Sequence, residues 1–292
     1  MYLAKVSILS SKYLITDKNR LKYIMREKQI EDEIMEHNRL ITFDGTVNFR
    51  DIGGYENNEG KHVKWKKIYR SDSLSSLTKR DEEKLEEMKV TVDCDLRTSN
   101  EQLMAPDRKW NGVEVLDCHV YAEDSSGNFV NDSHKLYRFL HHIPKVNSYL
   151  GEIYQNVILS PASQKAFARV FASLLTLPED EALVYHCSAG KDRTGMTTAL
   201  ILKGLGVDEH TIARDYLLTN ELYTFGLKKQ LPSDSEMIKM VNRMNVTEGE
   251  GTAIEGITQT IDSGYGGFEN YFTKELGFSK QDLKDFRKLY LE

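Results

Sequence analysis

Cysteine, proline and long apolar runs are all scarce in this chain of 292 residues, and each shortage excludes a class of protein. The three cysteines include no C-x-x-C pair, which argues against a disulfide framework and against a thiolate zinc site. The five prolines leave no Pro-rich hinge. No stretch approaches the ~18 apolar residues of a membrane span, and no segment has the pattern of a signal peptide. We therefore expect a cytoplasmic protein without an integral membrane segment.

Charge of either sign is not in large excess. The chain has 39 basic and 45 acidic side chains, for a formal net charge of −6. Such a chain is not expected to bind nucleic acid, because its affinity for phosphate must come from a few placed donors. Apolar residues make up 40% of the sequence and charged residues 29%, as in an ordinary globular protein. The length allows one large domain or two small ones.

Short β-like segments alternate with helical ones along much of the chain. The strand candidates are residues 66–71, 90–97, 113–120 and 181–187. A helix is predicted over 81–90, between the first two of them, with Thr78 as its N-cap. This order of strand, helix and strand predicts an α/β fold with a central, mainly parallel sheet flanked by helices.

Longer helical patterns complete the organisation. A loosely amphipathic helix is predicted over 17–38, and we expect residues 1–40 to form an N-terminal helical extension to a single domain over 41–292. Residues 133–177 carry apolar side chains at intervals of three and four, and two prolines divide them into about three helices. We expect them to form a helical insertion that precedes the strand 181–187.

Two further helices have clear ends. A buried helix is predicted over 193–206, where glycine ends it. Another is predicted over 279–291, where Ser279 as N-cap and Asp282 three residues later form a variant of the capping box.

Reactive residue types concentrate in one segment, HCSAGKDRTG, from His186 to Gly195. It joins a predicted strand to a predicted helix, and five residues separate Cys187 from Arg193. Over that spacing the backbone can curl into a nest of inward N–H groups, to which the helix adds its positive end. Gly190 relieves the steric cost of the curve. The residues of this predicted phosphate-binding loop are Ser188, Ala189, Gly190, Lys191, Asp192 and Arg193.

Cys187 is the candidate nucleophile of this loop. A thiol at a helix N-terminus is expected to have a lowered pKa, and its thiolate can attack a bound phosphoryl group. Arg193 would supply two parallel donors to the phosphoryl oxygens. Thr194 is expected to bring its hydroxyl near the sulfur, and His186 to orient the loop through hydrogen bonds.

Two other interpretations of the segment are weaker. A lone cysteine is often a small buried hydrophobic residue, but cysteine, glycine and arginine in this order between strand and helix are rarely a chance pattern. A Walker A loop would require glycine where Tyr185 stands and serine or threonine where Asp192 stands.

The segment resembles the signature H-C-x5-R-S/T of the cysteine-dependent protein tyrosine phosphatases. Three more segments, NFRDIGGY (48–55), IYRSDSLSSLT (68–78) and DCDLRTSNE (93–101), resemble motifs of the bacterial tyrosine phosphatase B-like branch, as does the tail LGFSKQDLKDFRKLY. The resemblance leaves residues 1–40 outside. It implies a protein tyrosine phosphatase-like fold and the hydrolysis of phosphomonoesters, with protein phosphotyrosine as the leading substrate. Phosphoserine, phosphothreonine and phosphoinositides remain open.

The general acid is not where most tyrosine phosphatases carry it, because no aspartate occurs between residues 133 and 179. Asp180 and Asp107 are interpreted as solvated turn residues. Asp192 is the better candidate, since it lies beside the bound phosphate, and the resemblance implies the same position. Asp95 is the alternative acid, although pairing with an arginine is the favoured interpretation for it. Asp192 could instead only stabilise the start of its helix.

The remaining candidates have supporting roles. Arg50 and Asp51 could brace the phosphate-binding loop, or could form a buried salt bridge without a catalytic part. Lys191 is either a solvated loop lysine or, as the resemblance suggests, an extra cation for polyphosphorylated substrates. The aromatic residues of 133–160 are either core or part of a lid over the pocket. No metal-ligand cluster is visible in the sequence, so neither a metal nor an organic cofactor is expected.

Two functions of other classes stay open. A rhodanese-like sulfurtransferase also carries a cysteine loop at a helix N-terminus, but the spacing of Cys187 and Arg193 and the separate upstream motifs favour a phosphatase. A non-catalytic phosphate-binding module would bind phosphopeptides without turnover, and the intact cysteine and arginine argue against it.

Overall fold

A computed structural model of the chain describes residues 39–121, 143–146, 148–223 and 236–292, apart from the side chains of 236–238. Backbone contacts divide the chain after Arg39, and the strands and helices described here belong to the second unit, residues 40–292. The predicted helix over 17–38 and the start of the predicted insertion, 133–142, lie outside the described residues.

The sheet in the described part of the chain has five strands in the order β1-β2-β5-β3-β4. They are β1 (Arg50–Asp51), β2 (Ile68–Ser71), β3 (Val90–Asp95), β4 (Glu114–Asp117) and β5 (Ala182–His186). All neighbours are parallel except β1, which pairs antiparallel with β2. The predicted mainly parallel sheet is therefore confirmed, with the two-residue strand β1 as an addition.

Helices flank this sheet, as predicted. In chain order they are α1 (Lys79–Glu87), α2 (Ser99–Met104), α3 (Tyr149–Leu159), α4 (Pro161–Thr176), α5 (Asp192–Leu205), α6 (Glu209–Leu222), α7 (Glu236–Val246), α8 (Gly251–Tyr265), α9 (Phe268–Lys274) and α10 (Lys280–Tyr290). The capping boxes at Thr78 and Ser279 are both present. Gly206 ends α5 in the left-handed conformation, with φ of +83°. None of the described helices is long and apolar enough to cross a membrane.

Alternate side chains along the strands enter two different apolar clusters. Leu183 and Tyr185 of β5 belong to the larger cluster, which includes residues of α3, α4, α5 and α8. Ala182 and Val184 belong to a smaller cluster with Phe49 and Trp110. Because successive side chains of a strand point to opposite faces, the sheet is buried on both sides, as expected for parallel strands.

The carboxyl ends of the parallel strands meet at one edge of the sheet. His186, the last residue of β5, is in register with Ser71 of β2 and with Asp95 of β3. The loop that follows His186 therefore leaves the sheet at the edge where open α/β sheets place their ligand sites.

Candidate active site

The predicted phosphate-binding loop runs from the end of β5 to the start of α5. Cys187 follows β5 directly, and Asp192 is the first residue of α5. Gly190 has φ of +65°, and a Cβ there would lie 2.6 Å from the backbone of Ser71 and Asp72. Only glycine fits this close approach, so the loop is held against the end of β2.

The sulfur of Cys187 lies in the environment expected of a reactive thiol. The side chain is 1% exposed, and the Thr194 hydroxyl donates to Sγ at 3.2 Å. Burial raises the pKa of the Cys187 thiol, but Arg193 and the donors of Thr194 lower it, and the net shift is downward. The structure thus brings Cys187, Arg193 and Thr194 together as the sequence predicts.

Arg193 is held by a carboxylate that the sequence analysis did not single out. Its Nη1 and Nη2 donate to Glu101 of α2 at 2.6 and 2.8 Å, and its guanidinium lies 4.9 Å from the ring centroid of Tyr121. Burial raises the pKa of Glu101, but Arg193 and the hydrogen bonds from Ser188 and Thr98 lower it by more, to about 2. Glu101 also accepts from the hydroxyl of Ser188.

The position of Glu101 in the sequence is conspicuous, but helix capping is enough to explain it. Glu101 is the last residue of the motif DCDLRTSNE and stands three residues after Thr98, where it completes a capping box. The structure shows that one carboxylate caps α2 and binds Arg193.

Asp192 is buried and held by hydroxyl and ammonium groups. Tyr154 of α3 donates to its Oδ1 at 2.5 Å, and Lys191 Nζ lies 3.4 Å from the same oxygen. The Tyr154 hydroxyl is also 2.8 Å from that of Tyr216 on α6. We call Asp192, Tyr154 and Tyr216 the hydroxyl chain. Both tyrosines come from distant helices, and Tyr154 lies within the aromatic segment interpreted as either core or lid.

Lys191 is not a solvated loop lysine, and that interpretation was wrong. Its side chain is fully buried, and Nζ donates to the carbonyl oxygens of Met244, at 2.9 Å, and of Thr247. Those carbonyls lie at the end of α7, where a helix leaves its last carbonyls without helical partners. The carbonyl oxygens that bind the Lys191 ammonium therefore come from the end of α7.

His186 lies among three carboxylates at the carboxyl edge of the sheet. Its Nε2 is 3.1 Å from Asp107 Oδ2 and 3.3 Å from Asp93 Oδ1, and its Nδ1 is 3.3 Å from the carbonyl oxygen of Cys187. Burial lowers the pKa of His186, but Asp107, Asp93 and Asp95 raise it well above its usual range. These carboxylates favour the charged imidazolium form of His186, whose Nδ1 faces the carbonyl oxygen of Cys187.

Asp95 pairs with Arg97, whose Nη2 lies 2.7 Å away, as the favoured interpretation predicts. Asp107 is not a solvated turn residue, and that prediction was wrong: its side chain is 4% exposed and pairs with Arg97 at 2.6 Å. Asp180 is exposed, as predicted, and pairs with Lys89. We call His186, Arg97, Asp93, Asp95 and Asp107 the ionic cluster.

The ionic cluster contains ligand types that metals use. Possible ligand atoms of Asp93, Asp107 and His186 lie within 4.8 Å of one another. His186 Nε2 and both carboxylate oxygens of Asp93 have no hydrogen-bond partner among the described residues, so charge and not hydrogen bonding relates them. Because the pKa of His186 is raised well above its usual range, we interpret the group as an ion-pair network and not as a metal site.

Arg50 and Asp51 were expected either to brace the phosphate-binding loop or to form a buried salt bridge, and their contacts favour the second for Arg50. Arg50 Nε pairs with Asp215 of α6 at 3.2 Å, which is the buried salt bridge of the alternative interpretation. Asp51 accepts from the backbone N–H groups of Gly53 and Lys66, both at 2.7 Å, and so shapes a turn.

The phosphate-binding loop is braced instead by Asn48 and Arg70, which belong to the motifs NFRDIGGY and IYRSDSLSSLT. Asn48 Nδ2 donates to the carbonyl oxygens of Ala189 and Gly190, both at 3.1 Å. Arg70 Nη2 donates to Gly190 at 2.8 Å, and its Nη1 pairs with Asp215. Arg50 contributes through a hydrogen bond to the Asn48 side chain. These donors bind the carbonyl oxygens of residues 189 and 190, as expected for a loop whose N–H groups point inward.

Comparison with known proteins found a family model and relatives that match most of the chain. The model of a family described as the tyrosine phosphatase family matches residues 41–292. A tyrosine-protein phosphatase of Nostoc commune is 27% identical over 233 residues, which cover 75% of this chain and 72% of that protein. The triple specificity protein phosphatase PtpB of Mycobacterium tuberculosis is 25% identical over 277 residues, which cover 85% of this chain and 97% of that protein.

Proposed function

Because the chain belongs to the tyrosine phosphatase family, we propose that it hydrolyses phosphomonoesters, above all protein phosphotyrosine, through a thiophosphate intermediate on Cys187. One observation carries this proposal. The thiol at the carboxyl end of β5 has a lowered pKa and accepts a hydrogen bond from Thr194, in the first turn of α5, where a phosphate would bind.

In the first step the Cys187 thiolate attacks phosphorus. A bond forms between sulfur and phosphorus, and the bond from phosphorus to the ester oxygen breaks. The backbone N–H groups of residues 188–193 and the Arg193 guanidinium stabilise the charge on the phosphoryl oxygens. Two Arg193 donors are bound by Glu101, and a guanidinium has five, so donors remain for the phosphoryl group.

Asp192 completes the proposed reaction. Its carboxylic acid donates a proton to the leaving oxygen, and its carboxylate then takes a proton from the water that cleaves the bond between sulfur and phosphorus. Its place at the first position of α5 supports this role, because it follows the loop that would hold the phosphate. Asp95 is the weaker candidate, since Arg97 is bonded to both of its carboxylate oxygens.

A broader substrate range is the second candidate. The mycobacterial relative is named for triple specificity, which supports a substrate range wider than phosphotyrosine alone. Phosphoinositides stay an alternative, but the extra cation suggested for them, Lys191, is bound by backbone carbonyls. A sulfurtransferase or a non-catalytic module is less well supported, because neither requires an acid beside the loop.

The proposed catalytic domain is residues 41–292, with 1–40 as an extension, and the range matched by the family model supports this division. The proposed compartment is the cytoplasm, whose reducing conditions keep a thiol nucleophile in its active form.

Phosphate release tests the proposal. The wild type should release phosphate from a phosphotyrosyl peptide faster than from a phosphoseryl peptide or a phosphoinositide. Cys187→Ser should abolish release from all three, whereas Cys118→Ala, which changes another buried cysteine, should keep it. A wild type that binds the peptide without releasing phosphate would instead identify a binding module.

A further inference from the structure

The contacts of Asp192 are concentrated on one of its two oxygens. The Tyr154 hydroxyl donates to Oδ1 at 2.5 Å, and Lys191 Nζ lies 3.4 Å from Oδ1 as well. Asp192 is 3% exposed, so bulk water does not give its two carboxylate oxygens the same surroundings. The carboxyl group therefore has two distinct oxygens before any substrate binds.

The proton of each hydroxyl in the hydroxyl chain can be placed by counting donors. A tyrosine has one O–H proton. Tyr154 uses its proton toward Asp192, because an ionised carboxylate only accepts, so the 2.8 Å bond between the tyrosines must be donated by Tyr216. Every donor in the chain thus points toward Asp192 Oδ1.

Neither tyrosine can reverse this direction by losing its proton. Burial raises the pKa of Tyr154 well above its usual range, and the nearby Asp192 raises it further. Burial and Asp192 raise the pKa of Tyr216 as well. Both hydroxyls stay protonated wherever a phosphatase of this kind would work, so Tyr154 keeps a proton to donate to Oδ1 whenever Asp192 is ionised and about to take up its proton.

We propose that Tyr154 is a positioning residue that reserves Oδ1 of Asp192 as a hydrogen-bond acceptor and so places the catalytic proton on Oδ2. This inference rests on the proposed function, in which Asp192 is the general acid. In the first step Oδ2–H gives its proton to the leaving oxygen while Oδ1 keeps its bond to Tyr154. In the second step Oδ2 takes a proton from the attacking water. The carboxyl group completes both transfers without rotating.

The same contact ties α3 to the phosphate-binding loop, so a structural role must be separated from a positioning role. The separation uses the leaving group. A misplaced proton slows only those substrates whose leaving oxygen needs protonation, whereas a distorted loop slows all substrates alike.

Tyr154→Phe tests the inference with a series of aryl phosphates from phenyl phosphate to 2,4-dinitrophenyl phosphate. The variant should lose about tenfold in kcat/KM on phenyl phosphate and little on the dinitrophenyl ester, whose leaving group needs no acid. In an Asp192→Asn background the same change should have almost no effect, because the two residues act as one unit. Tyr216→Phe keeps the bond from Tyr154 to Asp192 and should have a smaller effect.

Tyr271→Phe is the matched control. Its buried hydroxyl donates to the carbonyl of Ile158 in α3 at 3.0 Å, so the variant loses a comparable hydrogen bond to the same helix without touching Asp192. It should lower the thermal midpoint as much as Tyr154→Phe does and leave the leaving-group dependence unchanged. If Tyr154→Phe folds stably and slows all esters equally, or none, the positioning role is wrong.

The failure of this inference can be told from that of the proposed function. If the wild type releases no phosphate from any ester, the proposed function fails. If Asp192→Asn shows the dependence on leaving group and Tyr154→Phe does not, only the role of Tyr154 fails.

Discussion

The ionic cluster and the hydroxyl chain both bury carboxylates beside the same loop, but they hold them by different chemistry. In the ionic cluster, Asp95 and Asp107 are bonded to Arg97, and the His186 imidazolium lies against Asp107. In the hydroxyl chain, Asp192 accepts from the neutral Tyr154. An arginine cannot give up its proton in a protein, whereas a tyrosine hydroxyl donates without carrying charge.

The difference explains how three aspartates near one loop could have separate roles. Burial raises the pKa of Asp95, but His186 and Arg97 lower it far below its usual range, so this carboxylate stays ionised and cannot deliver a proton. Asp192 accepts from the neutral Tyr154 hydroxyl and lies 3.4 Å from the Lys191 ammonium, which itself donates to two backbone carbonyls. The proposed cycle requires this carboxyl group to act in turn as acid and base. Five variants test this contrast.

Asp192→Asn should have the largest effect on catalysis. We expect kcat/KM on phosphotyrosyl peptide to fall by about 10²–10⁴, the usual contribution of a general acid, with little loss of stability because the amide oxygen still accepts from Tyr154. Stopped assays of phosphate release and thermal unfolding measure the two quantities. Asp95→Asn is the matched comparison and should lower stability without changing the dependence on leaving group. The opposite outcome would assign the acid to Asp95.

Arg97→Met should have the largest effect on stability. The change leaves Asp95 and Asp107 buried without their shared cation, and removal of one partner from a buried ion pair costs about 3–5 kcal/mol. Urea unfolding at neutral pH measures this loss. A loss under about 1 kcal/mol would mean that the ionic cluster is not a network of buried charges.

Asp93→Asn should change how stability depends on pH. Burial raises the pKa of Asp93 from 3.8 to about 6, although His186 opposes the shift. The folded protein therefore binds more protons than the unfolded chain between these values, and stability falls as pH rises through that window. Asparagine does not titrate, so between pH 4 and pH 7 the variant should gain roughly 2 kcal/mol of stability relative to the wild type. Urea unfolding at several pH values measures the gain, and parallel curves for the two proteins would contradict it.

Asp180→Asn should have no measurable effect. Asp180 lies upstream of Cys187 but is exposed, and its ion pair with Lys89 is on the surface. Exposed pairs contribute little because water screens them. Neither the leaving-group dependence of kcat/KM nor the thermal midpoint should move. A selective loss on poor leaving groups would place an acid at this upstream position after all.

Local features of the chain could be predicted because they depend on neighbours in sequence. The capping box at Ser279 needs only Asp282, three residues away, and the glycine that ends α5 needs only its own positive φ. The strands β2, β3, β4 and β5 follow from short apolar runs. The loop from Cys187 to Arg193 could be read as an anion site because strand, turn and helix are consecutive. The two-residue strand β1 is too short to leave such a pattern.

The sequence by itself therefore determined the parallel sheet, the main helix ends and the residue types of the loop. Only the tertiary structure decided what holds those residues: Glu101 is 92 residues from Arg193, Tyr154 is 38 from Asp192, and Asp215 is 145 from Arg70. No periodicity relates such positions, because each pair is brought together by packing of separate elements on the sheet. For the same reason Asp107 and Lys191, which look solvated in sequence, are buried with partners from other segments.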